Sequence, residues 1–199
     1  MPSLMHFLHS IWKELIPKGA LVFDATCGGG HDTLALAKLA LTSNSGHVIG
    51  LDIQQEALDK TQKRLEKELP SEITQRIHLH RVDHSRIEEI EPELGPIDFV
   101  AYNLGYFPGG DKSIITEKAT TVQSLKAAYK RLSPGGSICV TCYVGHQRGG
   151  EEQTAVDAWI QSLDLNSTSV FHIEMPRHLA PMTRLIQKGK CSSDEKKGS

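Results

Sequence analysis

Two short, unbroken apolar runs, ALVFDA at Ala20 to Ala25 and HVIGLD at His47 to Asp52, constrain the fold of this chain most. A run this short and this continuously apolar marks a strand buried on both faces, because a half-exposed strand would alternate. Each run is followed by a helical pattern, Asp32 to Leu41 after the first and about Gln54 to Leu69 after the second. RIHLHRVD reads as a third strand, with a helical turn over Ser85 to Ile90. PIDFVAYNLG carries a fourth strand, ending near Tyr102. Thr116 to Leu132 is predicted as a helix, with Val122, Leu125, Ala128, Tyr129 and Leu132 on one side. Ser133-Pro134-Gly135-Gly136 is predicted as a turn, SICVTCYV as a fifth strand and Glu151 to Leu163 as a helix. Parallel neighbours need long crossovers, so this alternation predicts a mostly parallel, doubly wound α/β sheet.

The end of the chain departs from that rhythm. STSVFHIE and MTRLIQKG are two strand-like runs joined only by MPRHLAP, a link short enough to permit antiparallel pairing alone. Five β/α units closed by an antiparallel hairpin resemble the seven-stranded, Rossmann-like sheet of class I S-adenosylmethionine (SAM) methyltransferases. An ordinary dinucleotide-binding domain more often continues with parallel units. Ser3 can cap a helix whose apolar positions, among them Phe7, Leu8, Ile11 and Trp12, recur at helical spacing until Pro17-Lys18-Gly19 stops it. That helix either covers the sheet or forms a dimer contact, so a homodimer stays open. Residues 1–190 are expected to form one domain, with the polar run at 191–199 as a disordered tail.

The charge balance limits what the chain can meet. The formal net charge is -2, which argues against a strongly basic surface when averaged over the molecule. Residues 1–117 carry 17 acidic and 11 basic side chains, whereas residues 118–199 carry 7 and 11. No acid occurs between Lys118 and Gly150, where Lys118, Lys126, Lys130, Arg131 and Arg148 stand. This stretch is either a solvated helix face or a surface for a polyanion. No apolar run reaches the roughly 18 residues of a membrane span. The opening residues, MPSLMHFLHSIWKELIP, lack a basic region followed by a small-residue cleavage site, so a cytoplasmic protein is expected.

Three loops at predicted strand ends carry the chemistry. Asp24-Ala25-Thr26-Cys27-Gly28-Gly29-Gly30-His31-Asp32-Thr33 joins the first strand to its helix. Glycines there let the backbone approach a ligand at a helix start, yet the spacing of a pyrophosphate fingerprint is absent. An acid followed by glycines suits a ligand with a cationic amino-acid end, which Asp24 can hold directly or through water. Asp52 ends the second strand, where a carboxylate accepts both ribose hydroxyls of a nucleoside or else caps the next helix. Asp83-His84 ends the third. His78, His80 and His84 bring to mind a metal, but no Cys or carboxylate follows at ligand spacing, so none is expected.

Asn103-Leu104-Gly105-Tyr106 follows the fourth strand and is similar to the [DN]-P-P-[YF] motif of amino-directed methyltransferases. An amine must offer its lone pair to the methyl donor, so its N–H groups need acceptors. Asn103 Oδ1 supplies one and Tyr106 a stacking ring. After the fifth strand, His146 or Glu151 is placed to take a proton from an ammonium; Glu151 also reads as a helix N-terminal carboxylate. Cys142 lacks the Pro-Cys context of a carbon-methylating nucleophile and is expected to be buried beside Cys139.

DATCGGGHDT at Asp24–Thr33, NLGYFPGGDK at Asn103–Lys112 and YVGHQRGGE at Tyr143–Glu151 together resemble the YtqB-like rRNA methylase group of small bacterial proteins. These are SAM-dependent tRNA methyltransferases of the MnmM type, which methylate the amine of 5-aminomethyluridine, or its 2-thio form, at the anticodon wobble position. The resemblance covers Ala20 to Lys188. It implies SAM contacts from Asp24, Thr26, Gly28, Gly30, His31, Asp32 and Thr33, with Asp52, Ile53 and Gln54 at the ribose and Asp83 and His84 near the adenine. It implies a transfer site at Asn103, Gly105 and Tyr106, and no metal. The anticodon stem-loop of tRNA would meet Asp111, Lys118, Lys126, Arg148, Arg177 and Arg184. A small-molecule amine, an rRNA base amine, or a nucleotide-binding oxidoreductase or sensor are the other readings the residues leave open.

Overall fold

The structure is a computed structural model that describes residues 3–105, 115–143, 149–176 and 180–190. Helix α1 (Leu4–Leu15) precedes β1 (Leu21–Asp24), α2 (His31–Ala40), β2 (His47–Asp52), α3 (Gln55–Glu68), the single turn α4 (Ser71–Thr74) and β3 (Ile77–Arg81). Then come β4 (Ile97–Leu104), α5 (Lys118–Arg131), β5 (Leu132–Cys142), α6 (Gly149–Gln161), β6 (Thr168–Glu174) and β7 (Met182–Lys188). The strands form one seven-stranded sheet in the order β3-β2-β1-β4-β5-β7-β6. β1 to β5 pair in parallel and β7 lies antiparallel to both β5 and β6, as the short final link requires.

Alternation along the central strands sends neighbouring side chains to opposite cores. Val22, Val48, Phe99 and Ala101 pack under α1 and α2, while Phe23, Ile49, Val100 and Tyr102 pack under α5 and α6. Burial on both faces is why these strands read as unbroken apolar runs. The order of strands reverses between β1 and β4, which opens a crevice at their carboxyl ends.

Helix α1 covers the sheet. Ser3 accepts the His6 N–H at 3.2 Å, and Trp12, 1% exposed, tilts against Phe99 with ring centroids 5.2 Å apart. Among the described residues no helix is long and apolar enough to cross a membrane.

Two sequence readings change here. Ser133-Pro134-Gly135-Gly136 does not separate α5 from β5. The strand begins at Leu132, and the four residues bulge from it between the pairs Ile97–Leu132 and Phe99–Ser137. Gly135 turns at φ 84°, Ser133 Oγ donates to Asp98 Oδ1 at 2.9 Å, and Gln187 Nε2 donates to Gly135 O at 3.2 Å. A Pro-Gly signal thus marks a bulge whose backbone groups find partners on adjoining strands.

The second concerns Arg184, expected on an RNA-facing hairpin. Its side chain is 4% exposed and is held by Asp157 of α6 at 2.8 Å and by Glu174 of β6 at 3.1 Å. Its β7 position, in register with Val140 of β5 and His172 of β6, brings it beside α6 rather than out into solvent. Arg184 ties the terminal hairpin to the body and does not reach a polyanion.

Candidate active site

A cavity of about 940 Å³ opens at the carboxyl ends of β1, β2, β3 and β4. The β1–α2 loop forms its floor, the ends of β2 and β3 one side, and the end of β4 with Tyr143 the other. Thr116, Glu117 and Thr120 lead into α5 on a further wall, and Ser3, Met5, His6 and His9 of the N-terminal segment close it from the opposite direction.

The glycine loop is shaped from three directions. Gly28 and Gly30 sit at φ 51° and 74°, in the left-handed region that a side chain would strain. Asp52 Oδ2 accepts the Gly28 N–H and Oδ1 the Gln54 N–H, both at 2.9 Å. Asp52 thus braces the turn before α3 without capping the helix, whose N-cap is Gln54 with no side-chain bond. An ionised carboxylate has further lone pairs, so Asp52, which lines the cavity, can still accept from a ligand. Arg64 of α3 donates from Nε to Gly29 O at 2.7 Å, and its Nη2 lies 2.9 Å from His31 Nε2. Nothing in the sequence pointed to Arg64, because its partners lie 33 and 35 residues away.

Thr26, Gly28, His31, Asp32, Asp52, Ile53, Gln54, Asp83, His84, Asn103 and Gly105 all line the cavity. Asp24, Gly30 and Thr33 do not; they stand behind its floor. Asp24 is fully buried and accepts the Thr33 hydroxyl at 2.6 Å and the Thr26 N–H at 3.2 Å. Burial, reinforced by Asp32 nearby, pushes its carboxyl up to about 7. A Cβ on Gly30 would meet Thr61 Cα at 2.8 Å, so this glycine serves the packing of α2 on α3 rather than ligand approach. Burial also lowers the His84 ring below its ordinary value, partly offset by the neighbouring Asp83.

Asn103 is fixed at the end of β4 by its own N–H, which donates to Thr26 Oγ1 at 2.7 Å. Its Nδ2 donates to Asp32 Oδ2, and Asp32 Oδ1 lies 2.6 Å from His9 Nε2. Asn103 Oδ1 is buried and has no hydrogen-bond partner among the described residues. A buried carbonyl oxygen of this kind costs free energy until a donor reaches it.

Other expected site residues lie elsewhere. Glu151, in the first turn of α6, accepts from Lys118 at 2.9 Å and is absent from the described cavity wall. Its neighbour Glu152, unremarked in the sequence, is buried and accepts from Thr116 at 2.8 Å and Thr121 at 2.6 Å, fixing the segment that enters α5. The basic stretch is largely answered within the protein. Lys130 pairs with Glu88 at 2.5 Å, and Arg131 donates to the carbonyls of Ile87 and Ile90, leaving Lys126 exposed on α5. Burial pushes the Cys139 and Cys142 thiols up to about 12, so neither is a thiolate near neutral pH. Tyr106, Asp111, His146, Arg148 and Arg177 lie outside the described residues.

The cavity wall has a marked charge character. Among the described residues it includes Asp32, Asp52, Asp83 and Glu117 but no Lys or Arg. Such a wall disfavours a pyrophosphate and suits a ligand carrying positive charge.

Residues 48–187 match the model of the family described as "Putative rRNA methylase". Over 178 residues the chain is 40% identical to the Arabidopsis thaliana protein named tRNA (mnm(5)s(2)U34)-methyltransferase, chloroplastic. That match covers 87% of this chain and 65% of the relative, so the chain spans somewhat less than two thirds of that protein. The crystal structure described as a "putative rRNA-methylase" from Clostridium thermocellum superposes with a TM-score of 0.86 at 32% identity, covering 94% of this chain and 98% of that one. A "putative methyltransferase" from Streptococcus mutans, solved with SAH, gives a TM-score of 0.79 at 27% identity, covering 94% and 99%.

Proposed function

The chain belongs to the rRNA methylase family of that description, and on this premise we propose that it methylates the primary amine of 5-aminomethyluridine in tRNA, using SAM. The observation that carries the reading is Asn103 Oδ1, a buried acceptor at the cavity wall with no partner among the described residues. An amine substrate brings the missing donor. The Arabidopsis relative's name supplies the tRNA amine as the acceptor class, and the three sequence motifs agree with it.

The cavity fits SAM by its charge and its acceptors. SAM, when bound, supplies a methyl group on a sulfonium that needs no further activation. Asp52 accepts from the ribose hydroxyls while holding Gly28 and Gln54, and Asp83 and His84 lie on the side assigned to the adenine. The carboxylates around the glycine loop balance the positive charges of the donor. Asn103 accepts one amine N–H and so turns the nitrogen lone pair toward the methyl; positioning of this kind supplies most of the acceleration. Closing the cavity around the amine excludes water and favours its neutral form. Outside the cavity, exposed Lys126, together with Lys118 after its exposed pair with Glu151 opens, meets phosphates of the anticodon stem.

Two binding measurements follow. Asp52→Ala is expected to weaken SAH binding by about 10- to 100-fold, the loss of charge-assisted hydrogen bonds and of the loop they hold. Calorimetry reads it directly, and an unchanged affinity would remove Asp52 from the site. Tight binding of NAD with no affinity for SAM or SAH would overturn the methyltransferase reading altogether.

The second is a pH dependence. A cationic ligand end favours the ionised form of Asp24, whose carboxyl otherwise holds its proton up to about 7. Binding below that value releases the proton, so SAH affinity is expected to rise by at most about tenfold per pH unit as pH climbs toward 7 and to level off above it. Calorimetry in buffers of different ionisation heat detects the released proton. A flat profile would dissociate Asp24 from the ligand.

A further inference from the structure

We infer that His9, on the N-terminal helix, is a positioning residue for methyl transfer, acting on Asn103 through Asp32. This rests on the methyl-transfer reading above and adds α1 to the working parts of the site. The three side chains come from α1, α2 and β4, and all three line the same cavity. His9 Nε2 stands 2.6 Å from Asp32 Oδ1, and Asp32 Oδ2 accepts Asn103 Nδ2.

The chain of contacts has a direction. A terminal amide has two nearly equivalent orientations, and only its neighbours choose between them. A carboxylate accepts and cannot donate, so Asp32 draws the NH₂ of Asn103 to itself and leaves Oδ1 as the uncommitted acceptor. The reversed amide would set oxygen against oxygen at Asp32 and present N–H groups to an amine that needs an acceptor. Asp32 therefore selects the productive orientation, provided its own carboxylate plane is held.

His9 holds it. Asp32 is one of a set of carboxylates crowded round the glycine loop, and it acts electrostatically on Asp24 of β1 and on Cys139 and Tyr143 at β5 and its end. With Oδ2 committed to Asn103, the ring N–H of His9 is the donor that fixes Oδ1. His9 is itself anchored. Its ring centroid lies 4.8 Å from that of Trp12, one turn along the helix, and Trp12 is buried on Phe99. The orientation of the Asn103 amide is thereby referred to the hydrophobic core through a helix that precedes the first strand.

The test uses the full-length protein, SAM and tRNA bearing 5-aminomethyluridine in single-turnover reactions. His9→Ala is expected to slow transfer about 10- to 30-fold while SAH affinity and KM for tRNA stay within about twofold. His9→Gln, which restores an N–H donor at similar reach, is expected to recover the rate to within about threefold of wild type. In an Asn103→Ala background, His9→Ala is expected to cost less than about twofold, because its effect passes through the missing amide. Full additivity in the double variant, an equal loss of SAH affinity, or no recovery with Gln would overturn the inference. If wild type is active and His9→Ala equals it, the inference alone fails. If wild type forms no methylated amine, the transfer reading fails and this inference with it.

Discussion

Asn103→Ala is expected to slow single-turnover methyl transfer by about 10²- to 10³-fold while leaving SAH affinity within about threefold, the usual effect of removing one preorganised polar group from the reacting centre. The separation follows from geometry. Asn103 lies at the end of β4, its backbone held by Thr26 and its side chain by Asp32, and its free acceptor is the oxygen rather than the NH₂. Removing the side chain leaves Asp52, Asp83 and the glycine loop where they are. Asn103→Asp offers an acceptor again but sets a second carboxylate against Asp32, so it is expected to remain severely impaired. Equal losses in rate and SAH affinity for Asn103→Ala would make Asn103 a cofactor contact instead.

Arg184→Ala is expected to destabilise the protein by about 2–4 kcal/mol, because it leaves two carboxylates without their cation. The figure falls toward the lower part of the range for buried pairs, since Asp157 and Glu174 are 29% and 51% exposed and can partly rehydrate. For a chain of this size that corresponds to a drop in Tm of roughly 5–12 °C. SAH affinity of the folded variant is expected to stay unchanged, as Arg184 is absent from the described cavity wall. An unchanged Tm with weakened, more salt-sensitive tRNA binding would instead return Arg184 to the RNA surface.

These two residues also mark how far the sequence could be read. The central strands were legible because burial on both faces leaves a local imprint, an unbroken apolar run such as that at Val22 and Phe23. Asn103 was legible because its motif sits at the carboxyl end of a strand, although β4 runs on to Leu104 rather than stopping near Tyr102. Arg184 was not, since the charges that neutralise it lie 27 residues away on α6 and 10 residues away on β6. A count of basic residues cannot see such pairing. Lys130 and Arg131 repeat the lesson, one answered by Glu88 and the other by backbone carbonyls.

The glycine loop divides in the same way. Its position at a strand end was readable, whereas the left-handed turns at Gly28 and Gly30, φ 51° and 74°, appear only in the structure. Which glycine serves a ligand and which serves packing was not readable either. Gly28 faces the cavity, whereas Gly30 faces Thr61 on a helix that begins 25 residues later. Asp24, expected to hold a ligand's charge directly or through water, is buried behind the floor with Thr26 and Thr33 as its partners and acts on the cavity through its field.

The family model and the C. thermocellum structure agree on the family, while the acceptor depends on the cavity's chemistry. Nucleoside mass spectrometry of tRNA bearing 5-aminomethyluridine, after incubation with the purified protein and SAM, tests that chemistry most directly. The expected result is loss of the aminomethyl nucleoside with matching gain of 5-methylaminomethyluridine, abolished by Asn103→Ala. Methylation of any other nucleoside, or none under conditions where SAH binds tightly, would contradict the assignment of a tRNA wobble amine.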